Sequence, residues 1–124
     1  MSGGISSKIL LVCKERLLMT KSNLLNRMKE NHREFHTRDR IGGDEADQAV
    51  TILAEDQFLS TQERLRTQLL EIEIALAKIQ TGVYGVCEET EEPIEVDRLL
   101  AIPWTRLSVE GAEIREDLSK RYAK

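Results

Sequence analysis

Residues 65–79, LRTQLLEIEIALAKI, place apolar side chains at intervals of four, three, four and three residues. This is the spacing of a coiled-coil helix, whose apolar seam packs against a partner helix. Ile52 and Phe58 extend the seam toward the N-terminus. The segment therefore predicts a long helix that needs a second helix beside it. The seam itself consists of Leu65, Leu69, Ile72, Leu76 and Ile79.

A second apolar stripe precedes this segment. Leucine pairs recur every seven residues, and this periodicity is typical of a helix with one apolar face. It predicts a helix from about residue 7 to residue 38. The stripe consists of the leucine pairs 10–11, 17–18 and 24–25, followed by Met28 and Phe35.

A glycine turn separates the two stripes. Gly42 and Gly43 permit the positive φ angles of a chain reversal, and Asp44 can cap the helix that follows. The two helices are therefore predicted to pair antiparallel. We call residues 7–80 the finger and residues 39–49 its tip.

Composition limits the classes of protein that remain. Charged residues make up 32% of the 124 residues and aromatic residues only 4%, a balance common in long solvated helices. The net charge of −4 comes without a basic block, so direct nucleic-acid binding is not expected.

Residues 1–6 predict a flexible N-terminus, and the apolar stretch 9–12 is too short for a signal peptide or a membrane span. Two distant cysteines form no disulfide framework, which favours a cytoplasmic setting.

Two carboxylates mark the tip. Asp44 and Asp47 lie three residues apart and share one face at the start of the second helix. As helix caps they would satisfy free backbone N–H groups and favour the positive end of the helix dipole. The functional hypothesis is that an acidic knob enters a narrow, electropositive or metal-containing cavity of a larger partner. The two roles are compatible, because capping fixes where the carboxylates point.

The sequence resembles the DksA/TraR family of bacterial regulators. The tip matches the family pattern Asp-x-x-Asp-x-Ala through Asp44, Asp47 and Ala49. The segment after the finger matches the family's C-terminal module through Gly82-Val83-Tyr84-Gly85-Val86-Cys87, Pro93-Ile94, Arg98-Leu99, Pro103 and Ile114-Arg115-Glu116. The resemblance implies a finger that enters the secondary channel of RNA polymerase and regulates transcription. It implies partner contacts at Asp44, Asp47 and Ala49.

The resemblance also implies a zinc site that this chain does not complete. Family members commonly carry two Cys-x-x-Cys pairs, and the four matching positions here are Cys87, Thr90, Ser108 and Gly111. Three of these cannot replace a thiolate in a tetrahedral structural site. We therefore predict a metal-free module, residues 81–124, stabilised by apolar packing with Trp104 as the largest contributor. The other predicted core residues are Val83, Val86, Ile94, Val96, Leu99, Leu100, Ile102, Leu107, Ile114 and Leu118. Ser108 is predicted to cap a C-terminal helix over residues 109–122.

Some family members bind the alarmone guanosine tetraphosphate through basic residues. The matching positions here are Ile102, Ala112 and Glu71, which offer little positive charge to a polyphosphate. The resemblance, with these substitutions, predicts regulation that does not depend on the alarmone.

Other reactive side chains suggest no chemistry. His32 and His36 lie four residues apart on a polar helical stretch, which is more typical of a solvated surface than of a metal site. Cys13 is interpreted as a small buried apolar residue. The glutamates around Cys87 predict a raised thiol pKa. No nucleophile and base occur at a spacing known from catalysis, and no phosphate-binding loop is present, so an enzyme is not expected.

The sequence thus predicts a mainly α protein with a long antiparallel coiled-coil hairpin, a small metal-free zinc-finger-like module and a C-terminal helix. It predicts no cofactor, no metal, no membrane association and a monomer that binds RNA polymerase. The alternative is a self-associating structural coiled coil. The leucine pairs widen the apolar face enough for two copies to form a four-helix bundle.

Overall fold

The computed structural model describes residues 5–41 and 48–122, with the side chains of residues 38–41 excepted. Within these ranges the chain forms four helices and no strand, apart from an isolated antiparallel bridge between Val86 and Pro93. This confirms the predicted mainly α fold. Among the described residues, no helix is both long and apolar enough to cross a bilayer. The helices are α1 Ser7–Ile41, α2 Gln48–Thr81, α3 Val96–Ala101 and α4 Val109–Tyr122.

The two long helices have well-formed ends where they are described. The Ser6 hydroxyl accepts a hydrogen bond from the Ile9 amide at 3.1 Å, which satisfies a free donor of the first turn of α1. At the end of α2, Gly82 adopts a φ of 81°, and the amide of Val83 donates to the Lys78 carbonyl at 3.0 Å. Glycine adopts this conformation without a Cβ penalty, so it ends the helix here. α1 continues to Ile41, three residues past its predicted end at 38.

The chain divides into two compact units, which we call the central unit, Thr20–Leu70, and the terminal unit, Met1–Met19 with Glu71–Lys124. In the central unit, the Asn31 side-chain amide donates to the Phe58 carbonyl at 3.3 Å and to the Gln62 side chain at 3.1 Å. Phe35 stacks on Phe58 with ring centroids 4.5 Å apart. Asn31 contacts Gln62, whereas Phe35, which comes later in α1, contacts Phe58, which comes earlier in α2. This opposite order is the antiparallel pairing that the sequence predicted.

The terminal unit has a mixed core of helix and loop residues. Tyr84 is the largest fully buried side chain, whereas Trp104, the predicted largest contributor, is only half-buried. Four other predicted core residues are exposed, although all four are apolar. They are Val83, Val96, Ile114 and Leu118. The fully buried set is Cys13, Leu17, Ile72, Tyr84, Cys87, Leu99 and Pro103.

A polar contact crosses this core. The Tyr84 hydroxyl donates to the Pro103 carbonyl at 2.7 Å, and the Cys13 thiol donates to the Leu99 carbonyl at 3.7 Å. Burial, and after it the hydrogen bond and charge of the Cys13 side chain toward the Tyr84 hydroxyl, raise the pKa of Tyr84 far above its usual range. The hydroxyl therefore stays protonated and acts as a donor that joins the loop around residue 103 to the segment that follows α2.

Candidate functional site

The four positions that match zinc ligands lie together around the sulfur of Cys87. A tight turn follows this residue, in which the Cys87 amide donates to the Glu92 carbonyl at 2.8 Å and the Glu91 amide donates to the Cys87 carbonyl at 2.9 Å. The turn requires a φ of 62° at Glu91. It directs the Thr90 amide to the Cys87 sulfur at 3.5 Å. The turn is therefore built from backbone hydrogen bonds, without a second thiolate.

The other two positions belong to the start of α4. The Ser108 hydroxyl accepts a hydrogen bond from the Gly111 amide at 3.0 Å, so Ser108 caps α4 as predicted. The backbone of Gly111 lies so close to the Cys87 sulfur that an added Cβ would overlap it. A residue with any side chain would have to displace the sulfur or the helix.

These residues do not fit a structural zinc ion. They supply one thiolate, two hydroxyls and a glycine without a ligand atom, whereas such sites use four thiolate or imidazole ligands. The Ser108 hydroxyl is already occupied by its role as a cap. Across residues 5–41 and 48–122, no group of three or more His, Cys, Asp or Glu side chains is arranged to hold a metal.

The thiol of Cys87 is more acidic than the sequence predicted. Burial opposes its ionisation, but hydrogen bonds from the side chains and backbone amides of Ser108 and Thr90 outweigh burial and lower the pKa from 9.0 to about 6. The prediction of a raised pKa was wrong. It assumed that the neighbouring glutamates would face the sulfur, whereas hydroxyl and amide donors surround it.

The glutamates next to Cys87 face cations instead. Glu88 lies 2.5 Å from the Lys78 ammonium, 3.6 Å from Arg115 and 3.9 Å from Arg106. Burial raises the pKa of Glu88, but the hydrogen bond and charge of Lys78, followed by the two arginines, lower it overall. Glu89 pairs with Arg115 at 3.0 Å. Glu88 and Glu89 therefore belong to an ion-pair network that joins the end of α2 to α4.

The positions that match alarmone contacts are also described. Glu71 forms an ion pair with Arg106 at 2.8 Å, while Ile102 and Ala112 are half-buried apolar residues. Arg106 is thus a cation near one of these positions, but its guanidinium is engaged by Glu71 and lies close to Glu88.

Of the three residues predicted to contact a partner at the tip, only Ala49 is described. It is exposed in the first turn of α2. Asp44 and Asp47 lie outside the described residues. The proposed partner contacts of the tip thus remain a sequence prediction.

Known proteins resemble this chain in sequence and in fold. The prokaryotic dksA/traR C4-type zinc finger family matches residues 82–117. The RNA polymerase-binding transcription factor DksA of Caulobacter vibrioides is 35% identical over 103 residues, which cover 83% of this chain and 72% of that protein. An uncharacterized protein of Aquifex aeolicus is 35% identical over 125 residues, covering 95% of this chain and 83% of its own length.

The transcription factor DksA2 from Pseudomonas aeruginosa provides the structural comparison. Its structure superposes with a TM-score of 0.84 and 31% identity, over 94% of this chain and 89% of that chain. The fold is thus that of a helical hairpin joined to a zinc-finger-like module. By sequence and structure, the chain belongs to the DksA/TraR family. Within the matched residues 82–117 it has one cysteine, Cys87, whereas a C4-type zinc finger has four.

Proposed function

We propose that this protein regulates transcription by binding RNA polymerase, with the finger tip inserted into the secondary channel of the enzyme. The observation that carries the proposal is the match over most of the chain to a relative named as an RNA polymerase-binding transcription factor. The agreement in fold with DksA2 supports it. Asp44 and Asp47 would act near the polymerase active site, and Ala49 would pack against polymerase.

The same proposal covers the location, the oligomeric state and the activities that the protein would lack. The protein would act in the cytoplasm as a monomer, without catalysis and without direct sequence-specific contact to nucleic acid. We also propose the domain division expected from the sequence, with a flexible N-terminus at residues 1–6, the finger at residues 7–80 and the module at residues 81–124.

The module is proposed to fold without zinc. Structural zinc contributes roughly 10 kcal/mol or more to small modules, so a chain without it needs other interactions. The cap from Ser108, the ion pairs of Glu88 and the burial of Tyr84 supply them here. Dialysed protein should hold no stoichiometric zinc, and a chelator should leave its melting temperature unchanged. One tightly held zinc per chain would refute this part of the proposal.

Regulation is proposed to be independent of guanosine tetraphosphate. One matching position holds an acidic residue, Glu71, which forms an ion pair with the nearby Arg106. A polyphosphate would have to break this ion pair before it could bind Arg106. The test is reconstituted transcription with and without the nucleotide. A change in this protein's effect at micromolar nucleotide, beyond the change seen with polymerase alone, would contradict the idea.

The central experiment compares tip variants with a matched control. Asp44→Asn combined with Asp47→Asn should abolish the effect on transcription but retain most of the affinity for polymerase, because most contact area would lie outside the tip. Glu55→Gln combined with Asp56→Asn removes two exposed carboxylates from α2 and should leave both properties unchanged. Normal regulation by the tip variant would show that the tip hypothesis is wrong.

Self-association is the second candidate function. Leu11, Leu18 and Leu25 recur every seven residues on α1 and are 56%, 47% and 39% exposed. Such a stripe could pack against a second copy of the chain. A stable dimer that buries this stripe and fails to bind polymerase would favour this function over the first.

A further inference from the structure

The two histidines of α1 meet through the same ring nitrogen. His32 and His36 are the only histidines of the chain, and their Nε2 atoms lie 3.3 Å apart, with ring centroids separated by 4.2 Å. Both side chains are exposed. If one Nε2 carries a proton, it donates to the lone pair of the other, so the two rings converge on a single point beside the helix.

This separation matches a pair of metal ligands. Two imidazole nitrogens at 2.0–2.1 Å from a tetrahedral zinc ion lie about 3.3 to 3.4 Å apart. Histidines four residues apart on one helix are also the pair that binds zinc in the H-E-x-x-H motif. Little movement of either ring is therefore needed for both nitrogens to contact one ion.

Neighbouring aromatic rings hold the pair in place. His32 lies edge-on to Phe58 at 5.7 Å, and His36 lies edge-on to Phe35 at the same distance. Phe35 and Phe58 in turn stack on each other between α1 and α2. All four residues belong to the central unit, so the arrangement is supported by packing within one compact body. Such support reduces the freedom that the rings lose when a ligand binds.

Charges of both signs flank the histidine pair in the sequence, at Lys29, Glu30, Arg33 and Glu34. Arg33, which follows His32 in the chain, lies 3.2 Å from Glu30 in an ion pair that offsets its charge. The ring nitrogens are accessible to water, which can fill the remaining coordination positions of the ion.

We infer that His32 and His36 form an exchangeable binding site for a divalent transition-metal ion of the zinc class. Both Nε2 lone pairs bind the ion, and each neutral ring keeps its proton on Nδ1. The site is separate from the Cys87 position and does not depend on the proposed function. With only two protein ligands it binds metal weakly enough to lose it on dialysis, unlike a four-ligand structural site. The four-residue spacing of the histidines alone favoured a solvated surface. The short distance between their Nε2 atoms favours a metal site instead.

The test is a zinc chloride titration of the dialysed, untagged full chain with isotope-labelled histidine rings, followed by NMR. Both ring signals should shift together and saturate at one zinc per chain, whereas magnesium should shift neither, because it prefers oxygen ligands. Each of His32→Gln and His36→Gln should weaken binding at least about tenfold, since even outer-shell partners of metal-bound histidines are worth that much. The remaining histidine in each variant reports the loss directly.

Two control variants locate the site. Glu113→Gln removes an exposed carboxylate of α4, outside the central unit, and Cys87→Ser removes the thiol of the degenerate zinc position; both should leave zinc affinity within about threefold, well inside the loss expected for a ligand. The inference is overturned if no saturable shift occurs, if either histidine variant binds zinc as well as the natural chain, or if Cys87→Ser abolishes binding.

Discussion

The backbone of Gly111 packs directly against the sulfur of Cys87, leaving no space for a Cβ at position 111. In a C4-type zinc finger both positions would carry ligands. Here one holds a buried thiol and the other allows the helix α4 to approach it. In the proposed metal-free module, the close packing of these two residues would take the place of coordination to a metal.

Gly111→Ala should therefore destabilise the protein. Alanine favours helices, but overpacking a filled site typically costs about 1–3 kcal/mol, which should exceed the gain in helix propensity. Urea denaturation measures the change in the free energy of unfolding. Combining Gly111→Ala with Cys87→Ala should cost less than the two single changes added together, because removal of the sulfur makes room for the methyl group. Additive costs would mean that the two residues are not in contact.

The acidity of Cys87 predicts a pH-dependent contribution to stability. Its pKa is lowered from 9.0 in the unfolded chain to about 6 in the fold, so the folded state favours the thiolate. The contribution is full above pH 9.0, declines as the pH falls toward about 6 and is absent below that value. Cys87→Ala should therefore destabilise the protein more at the alkaline end of this range than below it. A destabilisation that does not change with pH would contradict the assigned hydrogen bonds.

The buried hydroxyl of Tyr84 gives a third prediction. Tyr84→Phe leaves the shape of the core intact but removes the donor to the Pro103 carbonyl, so unfolding should become easier by about 1–3 kcal/mol. Tyr122→Phe is the matched control, because Tyr122 is 84% exposed and its substitution should change stability by less than about 0.5 kcal/mol. Equal effects of the two substitutions would show that the hydrogen bond to Pro103 does not stabilise the core.

Long periodic segments of this chain were predictable from sequence, whereas the module's core was not. The apolar spacing around Leu65 and Ile72 is compatible with only one buried face of a helix. Both residues are buried in the structure. Ser108 was predictable as a cap because a hydroxyl before a helix has few other partners. Val83 and Tyr84 are neighbours with opposite burial, since a short loop has no period from which the inner side can be inferred.

The chemistry of the candidate site depended on contacts between residues distant in sequence. The lowered pKa of Cys87 arises from hydrogen bonds of Ser108, twenty-one positions away, and of Thr90. The glutamates beside the cysteine turn to Lys78, Arg106 and Arg115. Sequence proximity therefore gave the wrong sign for the thiol. Cys87, Thr90, Ser108 and Gly111, in contrast, lie together because a tight turn after Cys87 and the start of α4 bring them to one place.

The most direct test of the central claim is the affinity of metal-depleted protein for RNA polymerase. Untagged full-length chain is treated with a chelator, dialysed, and titrated into bacterial core polymerase in the presence and absence of the chelator. A saturable one-to-one complex with the same affinity in both conditions is the predicted result. Absence of binding, or binding that appears only after zinc is restored, would contradict the account of this protein as a polymerase regulator with a metal-free module.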